Sequence, residues 1–164
     1  GASKHHVEHY LSIYRTQFGI DFTILRFANV YGPRQDPHGE AGVVAIWTNQ
    51  MLHGGQPIIN GSGDQERDFV YVGDIASANV LALTAGSGEI VNLGSGIGTS
   101  INRVFELLRR ITGSDCQEIH GLAKAGEVFR TCLKADRAKQ VLGWEARGSL
   151  EEGLTRSVAH FRQV

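Results

Sequence analysis

Two stretches of this sequence carry polar side chains in arrangements that could do chemistry. The first runs Leu25-Arg-Phe-Ala-Asn29-Val-Tyr-Gly-Pro-Arg34-Gln-Asp36-Pro-His38-Gly-Glu40-Ala-Gly-Val43-Val44-Ala-Ile46. It opens as an apolar, β-branched and aromatic strand and breaks into a Gly/Pro loop holding Asn29, Arg34, Asp36, His38 and Glu40. Polar groups past the C-terminal end of a parallel strand are where open α/β sheets bind ligands. Asn29 offers both a donor and an acceptor, suited to a sugar hydroxyl or a phosphate oxygen, although a left-handed turn also favours asparagine. The second stretch is Gly61-Ser-Gly-Asp-Gln-Glu-Arg67-Asp68-Phe-Val-Tyr-Val-Gly-Asp74. A guanidinium fork at Arg67 can grip two phosphate oxygens at once, where a lysine would be a point charge. The plainer alternative for Arg67 is a surface pair with Asp68.

Three further features weigh less. His5, His6 and His9 cluster near the start, and His5 and His9 share a helical face at i, i+4, the spacing of a metal pair. With no third ligand at a convincing spacing they read as solvated surface histidines, and no metal site is assigned. Gly94-Ser-Gly-Ile-Gly98 looks like a phosphate-binding glycine turn, but its spacing is not G-x-G-x-x-G and no acid follows at about twenty residues, so it reads as structural. Lys4, by residue type alone, is an exposed lysine in the first turn of a helix.

The elements that must position these groups are visible in the periodicity. Val7, Tyr10, Leu11, Tyr14 and Phe18 recur at three- and four-residue steps and predict a helix from about Ser3 to Gln17, stopped by Gly19. Strands are expected at Phe22–Phe27, Pro57–Asn60, Arg67–Val72, Glu89–Leu93 and Cys116–Ile119. Helices are expected at Val43–Leu52, Ile75–Ala85 with Asp74 as cap or first-turn acid, Ile101–Thr112 capped by Ser100, Ala135–Leu142, and from about Leu150 to Gln163. Strands alternating with helices argue an α/β class.

Composition removes several functions. The chain has 164 residues, 41% of them hydrophobic, and a net charge of -1. That charge gives no reason to expect nucleic acid or an anionic membrane. No apolar run of about eighteen residues occurs, so no membrane span is expected. Lys4, His5, His6 and Glu8 interrupt any signal-peptide core. Cys116 and Cys132 lack metal or framework spacing and read as thiols of a cytoplasmic protein.

The loop after Phe27 and the pattern Arg67-Asp-Phe-Val-Tyr-Val-x-Asp74, preceded by a Gly-Asp turn, resemble the extended short-chain dehydrogenase/reductase family, in particular its NAD-dependent epimerase/dehydratase members of the UDP-glucose 4-epimerase type. The resemblance covers the whole chain but matches only the C-terminal half of such an enzyme. Lys4 matches the lysine of the family's Tyr-x-x-x-Lys motif, whose tyrosine would fall one position before Gly1, and the Gly-rich cofactor turn has no counterpart in these residues. The implied fold is α/β: the C-terminal part of a Rossmann-like NAD(P)-binding domain plus a small α/β nucleotide-sugar-binding domain. Residues 1–40 would end the Rossmann-like domain, 41–85 supply substrate-binding elements, 86–115 return to the Rossmann-like sheet, and 116–164 form a C-terminal substrate-binding region.

The resemblance also implies roles. Lys4 would hold the nicotinamide ribose of NAD and lower the pKa of the catalytic tyrosine, and Phe27 would flank the nicotinamide. Asn29, the backbone at Val43 and Val44, Ile58, Asn60 and Arg67 would bind a UDP-sugar or other nucleotide sugar. Asn60 stands where the family often has an aromatic residue, so a hydrogen bond to the base replaces stacking. Lys124-Ala-Gly-Glu127 stands for Arg-Pro-Gly-acid, with Lys124 on the diphosphate and Glu127 on the ribose. The implied activity of the intact parent is isomerisation: the tyrosine takes the 4-OH proton, NAD takes and returns the hydride, and the 4-keto sugar turns over between. The chain alone is expected to be inactive. A dehydratase or decarboxylase of the same family, or a non-catalytic remnant that binds a nucleotide sugar or self-associates, remain as alternatives, and a homo-oligomer is expected.

Overall fold

The computed structural model describes residues 2–38 and 42–163, so Glu40 of the first loop lies outside the described residues. The chain begins with helix α1 (Ala2–Phe18) and strand β1 (Ile24–Phe27), followed by β2 (Asn29–Tyr31). Helix α2 (Val43–Leu52), strands β3 (Ile59–Asn60) and β4 (Glu66–Tyr71) and helix α3 (Val72–Ala82) come next. Then follow β5 (Ile90–Leu93), β6 (Gly98–Ser100), α4 (Ile101–Thr112), β7 (His120–Gly121), β8 (Arg130–Thr131), α5 (Asp136–Leu142) and α6 (Leu150–Phe161). The expected α/β class holds.

β4 organises the fold. It pairs in parallel with β2, with Asn29 opposite Phe69, and in parallel with β8, with Arg67 opposite Thr131. β6 runs antiparallel to it, with Arg67 opposite Thr99. β1 and β5 form a separate parallel pair, and β3 and β7 another. Because strand side chains alternate, Arg67, Phe69 and Tyr71 share one face and Asp68 and Val70 the other. Each face feeds a core. Phe69 packs with Tyr31, Trp47, Phe105, Leu108 and Leu154. Val70 packs with Ile75, Val91, Leu93, Leu142 and Trp144.

The helices close those cores for reasons legible in their sequences. α4 buries Ile101, Val104, Phe105 and Leu108 along one stripe, and Arg109 and Arg110 fall in its last turn, where cations suit the helix C-terminus. The Ser100 hydroxyl accepts a hydrogen bond from Arg103 N at 3.2 Å and caps it. α6 starts with a reciprocal capping box between Ser149 and Glu152.

Several boundaries differ from expectation. α3 starts at Val72 with Tyr71 as its N-cap, and Asp74 is a first-turn acid. Asp74 Oδ2 accepts from Arg147 N at 3.0 Å, and its carbonyl accepts from Trp144 Nε1 at 2.8 Å. The strand expected at Cys116–Ile119 instead forms at His120–Gly121, and β2, β6 and β8 were not expected as strands. The α1 stripe is not core: Tyr10 is 61% and Phe18 65% exposed, and α1 buries no residue. Periodicity reports amphipathicity, and here nothing among the described residues covers the apolar face.

Candidate functional site

The sharpest geometry lies around Arg67. Its Nη2 donates to Glu127 Oε1 at 2.8 Å, and its Nη1 donates to the carbonyls of Glu66 at 2.8 Å and Phe129 at 3.4 Å. The arginine side chain is only 14% exposed. The expected alternative partner, Asp68, is not its partner: alternation along β4 points Asp68 to the opposite face. Glu127 comes from sixty residues away in sequence, carried by the turn that follows β7. That turn closes with Glu127 N donating to the Lys124 carbonyl at 3.3 Å and has Gly126 at φ 74, a left-handed position that favours glycine. Arg67 and Glu127, named separately from sequence, thus meet in one charge-assisted contact.

Asp68 explains why Arg67 holds its place. The carboxylate is fully buried and accepts from Ser95 N at 2.8 Å, Ser95 Oγ at 2.7 Å, Gly96 N at 3.2 Å and Leu133 N at 3.1 Å. The donors of the Gly94–Gly98 turn are therefore spent on an internal carboxylate, which accounts for its structural role. A Cβ at Gly94 would run into that carboxylate.

Asn29 sits exposed on β2, on the same face of the sheet as Arg67 by register and alternation. Ile58 and Asn60 project from one side of the segment around β3 and are partly or wholly exposed, while Ile59 between them is buried. Val44 is a core side chain and Val43 packs against that core, so only their backbone could meet a ligand. Gly42 supplies no side-chain cap to α2, and the first N–H groups of a helix have no acceptor within it. Lys124 is exposed beside Glu127. Lys4 and Phe27 belong to another sector: both are exposed, on α1 and at the end of β1. α1 is tied to β1 by Arg26 Nε donating to Glu8 Oε1 at 2.8 Å and Arg26 Nη2 to Glu8 Oε2 at 2.5 Å. The Arg26 hydrogen bond holds the Glu8 carboxyl below its ordinary range.

Two groups escaped the sequence reading. Gln65, buried, donates from Nε2 to the Asn60 carbonyl at 2.9 Å and fixes the β3 end. His120 Nδ1 is 2.7 Å from the Gly61 carbonyl and its Nε2 is 3.1 Å from Glu118 Oε1, and these contacts, the carbonyl first, push its pKa up. Gln65 was visible only as a polar residue inside the Arg67 motif, and His120 only as an isolated histidine. The larger surface clefts, about 600 Å³ beside Arg103 and Arg110 and about 470 Å³ between Tyr71, Arg147 and Arg156, do not include the Arg67 cluster.

The family model described as NAD dependent epimerase/dehydratase family matches residues 1–94. The chain belongs to that family. It is 46% identical over 158 residues to a putative UDP-glucose 4-epimerase of Methanocaldococcus jannaschii, covering 96% of this chain and 51% of that relative. The crystal structure of Thermotoga maritima UDP-glucose 4-epimerase with UDP-glucose matches at a TM-score of 0.97 and 47% identity, covering 99% of this chain and 53% of that one. The Thermus thermophilus UDP-glucose 4-epimerase complex with NAD matches at a TM-score of 0.90 and 38% identity, covering 98% and 53%. The fold is thus the α/β arrangement of the Rossmann-like epimerases, and the chain spans about half the length of the relatives it matches.

Proposed function

We propose that this chain supplies the sugar-nucleotide-binding half of an NAD-dependent UDP-sugar 4-epimerase, an isomerase. The observation that carries the reading is the Arg67–Glu127 pair, on a face of β4 shared by Asn29 of β2, in a chain similar to UDP-glucose 4-epimerases along nearly its whole length. Arg67 would take the diphosphate, using guanidinium hydrogens that Glu127 and the carbonyls leave over, and Lys124 would add charge. Glu127 would accept from ribose hydroxyls. Asn60 and the backbone near Ile58 would meet the base, the orphan N–H groups at Val43 and Val44 would meet anionic or carbonyl oxygens, and Asn29 would bond the sugar end.

The residues fit the cofactor. Lys4 presents an exposed ammonium and Phe27 a half-exposed ring at the C-terminal end of a parallel strand, the place where such sheets hold dinucleotides. NAD, when bound, supplies reversible hydride acceptance from the sugar; Lys4 would hold the nicotinamide ribose and Phe27 would cover one face of the ring. The division of the chain at 40, 85 and 115 into Rossmann-like and substrate-binding parts belongs to this proposal. So does self-association: the apolar stripe Val7, Tyr10, Tyr14 and Phe18 supports an assembly of copies, and light scattering at micromolar concentration is expected to show dimers or larger species.

The 164 residues alone are expected to give no measurable interconversion of UDP-galactose and UDP-glucose, since they include no tyrosine four residues before Lys4 and general-base loss alone removes on the order of 10²–10⁴ in rate. Binding is the better test. UDP titrated into the chain is expected to shift amide resonances near Arg67 and β3 with an affinity on the order of millimolar, about -4 kcal/mol. Charged hydrogen bonds contribute roughly 1.5–3 kcal/mol, so Arg67→Ala is expected to abolish detectable binding. Equal shifts in both proteins would remove Arg67 from the site and leave its pair with Glu127 a structural contact.

A further inference from the structure

His5 and His9 do more than share a face of α1. Their Nε2 atoms lie 3.3 Å apart, with the rings edge to face. Two imidazole nitrogens bound at about 2.0–2.1 Å to one tetrahedral ion lie about 3.3–3.4 Å from each other. The pair is therefore already at the bite of a single zinc-sized ion.

The surroundings favour the required tautomer. His5 Nδ1 is 3.5 Å from Glu8 Oε2, and that carboxylate is anchored by two hydrogen bonds from Arg26. An Nδ1–H facing Glu8 leaves the His5 Nε2 lone pair free, and a carboxylate behind a liganding histidine fixes its ring and raises its basicity. His6, between them in sequence, turns away: its Nδ1–H donates to the Ala2 carbonyl at 2.7 Å. Among the described residues no group of three or more His, Cys, Asp or Glu side chains converges on a metal-sized space, so solvent would complete the coordination.

We propose that His5 and His9 form a two-histidine site for a divalent first-row transition cation, zinc-sized and borderline-soft, with Glu8 as the carboxylate that orients His5. The ion bridges successive turns of α1, the helix that carries Lys4 and buries none of its own residues. Its occupancy staples that turn. The site is independent of the nucleotide-sugar reading, because none of its residues belongs to the Arg67 cluster.

The competing arrangement is a hydrogen bond from the His9 Nε2–H to the His5 Nε2 with no affinity for a metal. Calorimetric titration of Zn²⁺ alone into the chain, in a non-coordinating buffer, separates the two. Holding the ion by one imidazole makes the second contact intramolecular, which raises affinity by on the order of 10²-fold. His5→Ala and His9→Ala are each expected to weaken the tightest zinc event by that factor, and His6→Ala to leave it unchanged. Ring resonances of His5 and His9 are expected to move together with zinc while those of His6 stay still. Zinc affinity within threefold of wild type in either the His5 or the His9 variant, or an equal loss in His6→Ala, would overturn the site. So would histidine spectra that respond at His120 or His53 instead.

Discussion

Two sectors of this chain carry the residues of the proposed site, and they are held by opposite means. Around β4, Arg67 is pinned by Glu127 and two carbonyls, Asp68 is buried under four donors, and both strand faces run into packed cores. Around α1, Lys4 rides on a helix with no buried residue, joined to β1 by the Glu8–Arg26 pair. The first sector is fixed by burial, which few solution conditions reverse. The second rests on surface electrostatics, which salt and pH can undo. The proposed diphosphate contact therefore rests on this chain's own packing, whereas the placement of Lys4 rests on surface contacts of α1.

The largest expected effect tests that contrast directly. Phe105→Ala removes a fully buried ring from the core under β4 and is expected to destabilise the chain by about 3–5 kcal/mol in urea denaturation. Tyr10→Ala, on the exposed stripe, is expected to stay within about 0.5 kcal/mol when measured at a dilution where the chain is monomeric. Similar losses from both at that dilution would mean that α1 packs against its own chain, and the contrast would fail. Next in size, Asp68→Ala orphans the N–H groups of Ser95, Gly96 and Leu133 and is expected to remove about 3 kcal/mol.

Smaller effects are local. The Glu8 carboxyl is held below its ordinary value by Arg26, so its contribution is fully present above the unfolded value of 4.5 and is lost as pH falls through the lowered one. Hydrogen exchange is expected to show α1 amides losing protection there before the β4 amides do, and Glu8→Gln is expected to abolish that step. The smallest effect concerns His120, whose raised pKa makes its contribution complete below about 6.5 and lost as pH rises through the higher folded value. The neutral ring can still donate Nδ1–H to the Gly61 carbonyl, so only the Glu118 attraction fades, read as a slight rise in exchange across β3 and β7. Loss of both strands on raising pH would show that the histidine carries more of this sector than its geometry implies.

Much of the scaffold was readable in the amino acids. α2 and α4 lie where periodicity and the Ser100 cap put them, because each packs a continuous apolar stripe and so obeys its own pattern. β6, β7 and β8, at two or three residues, are too short for an alternation to register. They exist because β4 and β3 offer partners, which is information from elsewhere in the chain. The same holds for the site. Arg67 and Glu127 could each be named from local pattern, but their contact spans sixty positions and depends on the turn at Gly126. The α1 helix was legible from its stripe, but whether the stripe is covered was not, since a pattern records a face without recording its cover.

The alternation along β4 also limits how this sequence can change. Arg67 and Asp68 are neighbours that serve opposite faces, one toward the proposed ligand and one toward the Ser95 turn. Inserting or deleting one residue between Glu66 and Tyr71 would exchange them, burying a guanidinium among amide donors and presenting a carboxylate at the proposed diphosphate contact. Length variation during divergence should therefore be absent from those six residues and collect instead in the turns between elements.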